Sequence, residues 1–138
     1  MKIIQVCSEL KSNIRGAEKF CIGLSKRLAE DPKNKVYIIT SLKDGYKKLK
    51  GINFYNFKKI KNKYARKLFF DYYNPISSKK FEYHLDRINP DIVHFHSFYG
   101  IGSSLIKVAS KKYKSIVTLH DCWHFNYDGS ILKSQNCL

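Results

Sequence analysis

Along this chain the spacing of apolar residues keeps switching between two patterns. Ile3, Ile4 and Val6 crowd together in residues 2–7, which read as a short buried strand. From Ala17 the period changes. Ala17, Phe20, Cys21, Leu24 and Leu28 recur at three- and four-residue intervals, the apolar stripe of a helix. Asp31-Pro32 ends it, because a residue before proline is pushed out of helical geometry. Residues 36–40 read as a second strand and 52–57 as a third, joined by a basic loop that contains Gly45 and Gly51. Residues 58–74 are basic and aromatic and expected to be helical in part, until Pro75 interrupts them. Ser77 and Ser78 are expected to cap the next helix, whose apolar side is Phe81, Leu85 and Ile88, and Asn89-Pro90 stops it. A fourth strand at 91–96, a helix carrying Ile101, Leu105, Val108 and Ala109, and a fifth strand at 115–120 complete the pattern. Residues 122–138 show no period.

Strands that alternate with helices predict a parallel, doubly wound sheet, here a Rossmann-like α/β domain of five strands ordered 3-2-1-4-5 with helices on both faces. Its 138 residues suit one domain with a real core. No apolar run reaches the ~18–20 residues that span a bilayer, and the N-terminus turns polar too soon for a signal peptide. The four cysteines, Cys7, Cys21, Cys122 and Cys137, form no Cys-x-x-Cys, which suits a reducing compartment. The expected location is the cytoplasm. Lys and Arg outnumber Asp and Glu by 26 to 11, a net charge of +15 that draws polyanions of any kind. Many of the basic residues fall between Lys43 and Lys67, where Tyr64, Leu68, Phe69, Phe70, Tyr72 and Tyr73 interleave with them. That segment reads either as a helix packed on the sheet or as an interfacial stripe on an anionic membrane.

In a parallel sheet, ligands bind outside the carboxyl ends of the strands. Three segments fall there. The first is the turn from Ser8 to Gly16-Ala17-Glu18, where a glycine opens a helix N-terminus to an anion. The second is Val93-His94-Phe95-His96, in which His94 sits inside the strand as a hydrogen-bonded core residue and His96 at its end. The third is Leu119-His120-Asp121-Cys122-Trp123-His124, with an imidazole beside a carboxylate at another strand end. An imidazole so placed can shuttle a proton or bind a hydroxyl or phosphate oxygen.

Four pieces in this order, Ile3-Ile4-Gln5-Val6-Cys7, Gly16-Ala17-Glu18-Lys19, Pro90-Asp91-Ile92-Val93-His94-Phe95-His96 and Val117-Thr118-Leu119-His120-Asp121-Cys122-Trp123, resemble the N-terminal domain of glycosyltransferase family four. That is a retaining group with the GT-B fold. The resemblance covers nearly the whole chain except residues 43–80. It implies that residues 1–138 form the acceptor-side half of a sugar-transferring enzyme, truncated and inactive alone, with the C-terminal donor-binding domain absent. By the same resemblance Gly16 and Ala17 approach the donor phosphates, His120 faces the reacting sugar with Asp121 orienting it or binding a hydroxyl, and His96 and Tyr99 line the acceptor side. The implied donor is a nucleotide-diphosphate sugar and the acceptor a glycan or lipid-linked group, with no metal or other cofactor and with the enzyme peripheral at an anionic membrane. Arg15-Gly16 stands where the family often has two glycines, and Phe125-Asn126-Tyr127 where relatives often carry Cys-Pro.

Three other readings compete. A metal-dependent hydrolase would use His94, His96, His120, Asp121 and His124 as ligands around an open position. A nucleic-acid-binding module would use the basic charge, although no recognition signature accompanies it. The third is a non-catalytic interaction domain.

Overall fold

In a computed structural model of the protein, the described residues are 1–10, 16–42, 49–56, 73–98 and 101–120. They form one sheet of five parallel strands in the order β3-β2-β1-β4-β5, as the alternating pattern predicts. The strands are β1 (Lys2–Leu10), β2 (Lys35–Leu42), β3 (Ile52–Asn56), β4 (Ile92–Phe95) and β5 (Lys114–Val117). Three described helices connect them: α1 (Gly16–Glu30), α2 (Pro75–Ile88) and α3 (Ser104–Ser110).

Side chains on a strand alternate between faces, and the two faces here receive different helices. Ile4, Val6, Ile39, Val93 and Phe95 point to one side and pack with Phe81, Leu85 and Ile88 of α2 and Leu105 and Ala109 of α3. The Phe81 and Phe95 rings meet there at 6.0 Å between centroids. Cys7, Leu10, Val36, Ile38 and Ile52 point to the other side and pack with Cys21 and Ile22 of α1. Helices on both apolar faces are what a parallel sheet needs for stability.

Local chemistry sets the boundaries. β1 runs three residues past the expected strand, through a register shift between Cys7 and Glu9 that lets Leu10 still pair with Leu42. The expected cap of α2 is corrected. Asn74, not Ser77 or Ser78, holds the N-cap, accepting the Ser77 N–H at 3.0 Å, and Pro75 opens the first turn. Proline suits that position because its missing N–H would go unbonded there in any case. Asn89 closes α2 with φ 47°, a left-handed conformation that asparagine tolerates. The fourth and fifth strands are shorter than expected, so His96 and His120 lie just beyond their carboxyl ends. Most of the basic, aromatic stretch at 58–74 lies outside the described residues.

Candidate functional site at the carboxyl edge of the sheet

Helix α1 packs chiefly on β1, β2 and β3, so among the described residues no helix covers its face of the sheet over β4 and β5. A polar seam lies there. Gln5 of β1 pairs in register with His94 of β4, and His94 with Ile116 of β5. The ladder continues past the strands, with His96 N–H donating to the Val6 carbonyl at 2.9 Å and Thr118 N–H to the Phe95 carbonyl at 2.9 Å. These bonds bring His96 and His120 side by side. The two imidazoles join through His96 Nδ1 and His120 Nε2 at 3.2 Å. His96 Nε2 reaches Gln5 Oε1 at 2.6 Å, and His94 Nε2 reaches Thr118 Oγ1 at 2.7 Å. The seam therefore runs Gln5–His96–His120, with His94–Thr118 alongside.

Burial is graded along it. Gln5 and His96 are each 1% exposed, whereas His120 is half-buried. Burial, followed by the neighbouring His94 and His120, pushes the His96 pKa down to about 3. His94 is likewise lowered by burial and then by His120. Both rings are thus neutral at neutral pH and carry one N–H each. The expectation that His94 is a hydrogen-bonded core residue is corrected in part: it is hydrogen-bonded within its strand, but its side chain is only half-buried.

Phe20 is a correction to the sequence reading. Its place in the apolar stripe of α1 predicts a core residue, yet it is 49% exposed. The α1 stripe overruns the sheet here, and the ring turns onto the histidines, 5.2 Å from His120 and 5.8 Å from His96 between centroids. Phe20 lies one turn beyond Gly16, so the N-terminus of α1 adjoins the histidine pair. Gly16 is exposed, its φ is not left-handed, and a Cβ built there meets no atom of the described residues within 4 Å. Packing among the described residues therefore does not demand glycine at this position. Nearby, Ser97 Oγ accepts the Ser8 N–H at 2.9 Å and donates to Ser8 Oγ at 2.8 Å, tying the ends of β1 and β4 together.

Of the site residues expected from sequence, Gly16, Ala17, His96 and His120 thus gather at one edge. Asp121, Tyr99 and His124 lie outside the described residues. Gln5, Phe20 and Thr118 were not among the expected site residues. Among the described residues no group of three His, Cys, Asp or Glu side chains could hold a metal ion. Cys7 and Cys21 are buried thiols. The Cys21 pKa is raised well above its ordinary value, by its hydrogen bond with Cys7 and then by burial, so it is no nucleophile. No helix among the described residues is long and apolar enough to cross a membrane.

A comparison with curated proteins found no match. Against protein families, the model of Glycosyltransferase Family 4 matches residues 14–135, most of the chain. That span contains the α1 N-terminus and both histidine-bearing strand ends. The chain belongs to glycosyltransferase family 4.

Proposed function

We propose, from that family membership, that the chain is the acceptor-side half of a retaining glycosyltransferase. The observation that carries this reading is the meeting of His96 and His120 with the first turns of α1 at the carboxyl edge of the sheet. A helix N-terminus favours a phosphate, and an imidazole beside it favours a hydroxyl. Together they suit a sugar attached to a diphosphate. Gly16 and Ala17 let the donor phosphates approach the backbone of α1. His120 meets the reacting sugar, Asp121 orients it or binds a hydroxyl, and Tyr99 lines the acceptor side. His96, buried beneath His120, shapes that pocket from below.

The protein supplies position and electrostatics. Preorganised donors and dipoles act where charge develops as the glycosidic bond to the leaving diphosphate breaks. The site works without a metal, because the positive end of α1 and basic groups from a donor-binding second domain neutralise the diphosphate. The net charge of +15 suits a lipid-linked acceptor on an anionic membrane at its inner, cytoplasmic face. Exposed Tyr73 and Ile76, beside exposed Lys79 and Lys80 at the start of α2, suit the same surface.

Transfer by a chimera tests this reading. The chain joined to the donor-binding domain of another family member, given nucleotide-diphosphate sugars and an acceptor, should release nucleotide diphosphate and form a product of retained anomeric configuration. The chain alone should not. Transfer undiminished by His120→Ala would remove His120 from the reacting centre, and efficient transfer by the chain alone would overturn the half-enzyme reading.

A further inference from the structure

Gln5 interrupts the apolar opening of β1, where packing alone would favour another Ile or Val. It is 1% exposed, and its amide nitrogen has no hydrogen-bond partner among the described residues. Leaving a buried donor unpaired is unfavourable, so the packing of the described residues by itself gives no reason for glutamine here. Its carbonyl oxygen explains it. Gln5 Oε1 lies 2.6 Å from His96 Nε2, and an oxygen of this kind only accepts. His96, which carries a single hydrogen, must therefore carry it on Nε2. That leaves a lone pair on His96 Nδ1, facing His120 Nε2 at 3.2 Å. The contact is a hydrogen bond only if His120 in turn carries hydrogen on Nε2. Phe20 packs on both rings and holds them in place. His94 does not compete, since its Nε2 is engaged by Thr118.

We propose that Gln5 and His96 are positioning residues that hold His120 in its Nε2–H tautomer, so that His120 Nδ1 offers a bare acceptor to a sugar hydroxyl. A hydroxyl can donate to that nitrogen. A phosphate-ester oxygen, ionised at neutral pH, cannot. The chain thus sorts the two ends of its substrate, with hydroxyl to His120 and phosphate to the α1 N-terminus. This deepens the glycosyltransferase reading and rests on it for the identity of the ligand.

The test is nitrogen-15 imidazole NMR of the full chain at pH 7.5 without ligand. In the wild-type protein His96 and His120 should both show protonated Nε2 and unprotonated Nδ1. In Gln5→Met the acceptor is gone, and the proton of each ring should move to Nδ1, His96 now donating to His120. A proton on His96 Nδ1 in the wild-type chain overturns the proposal, even if the methionine variant fails to fold. So does a folded Gln5→Met with the wild-type pattern. Because no ligand is present, the relay and the functional reading fail separately. An ordered relay in a chain that binds no sugar leaves the relay standing, and a different tautomer in a chain that does bind sugar leaves only the function.

Discussion

Acid should weaken this fold through an imidazole that the fold keeps neutral. His96 is held at a pKa of about 3, chiefly by burial, against about 6.5 for an imidazole in an unfolded chain. Between those values the unfolded state binds a proton that the folded state refuses, so stability falls as pH drops from 6.5 toward 3. Above about pH 7.5 neither state is protonated and the contribution is flat. Integrated from pH 7.5 to 4.5, one such group removes about 2.7 kcal/mol. A domain stable by 5–15 kcal/mol would register that loss clearly. Carboxylates and the repulsion of a +15 chain also act in acid, so the effect should be isolated by difference. Urea unfolding of wild type and His96→Gln at pH 7.5 and 4.5 does this, because the two proteins share every other titrating group. The stability advantage of wild type over the variant should shrink by about 2.7 kcal/mol on acidification. An advantage that stays within about 0.5 kcal/mol, or grows, would refute the claim that burial keeps His96 neutral.

Other substitutions probe the frame and the phosphate site. Phe81→Ala, at a fully buried ring packed on Phe95, should lose about 3–5 kcal/mol in denaturant unfolding. Asn74→Ala removes the cap of α2 and should lose about 1 kcal/mol, with helix fraying visible in hydrogen exchange of its first turn. Gly16→Ala should leave stability within about 0.5 kcal/mol, because its Cβ meets open space, yet weaken binding of a nucleotide diphosphate by calorimetry. Equal binding by that variant would remove the donor phosphates from the α1 N-terminus.

Strand order was legible in the sequence because each apolar run is short, the first two helical stripes stop at Asp31-Pro32 and Asn89-Pro90, and parallel connections leave few arrangements. The placement of His120 at a strand end followed from the same pattern. Gln5 was not legible as a site residue. One polar residue in an apolar strand carries no mark of what it faces, and its partner His96 lies 91 residues away in sequence. Phe20 misled for a related reason. A three-and-four spacing shows that residues share a helix face, but not where the neighbouring sheet ends. Ser77 and Ser78 are cap-type residues too, but asparagine immediately before proline is the stronger helix-start signal.

In the proposed function, sugar and diphosphate meet this chain at the carboxyl edge, between α1 and the histidine pair. Chemical-shift mapping of the labelled chain against nucleotide-diphosphate sugars tests it most directly. Saturable shifts are expected at Gly16, Ala17, Phe20 and the imidazoles of His96 and His120, with the phosphate-dependent part reproduced by the nucleotide diphosphate alone. Shifts confined to the opposite edge, around Met1, Lys33 and Lys35, or no shifts at the histidines with any donor, would contradict it.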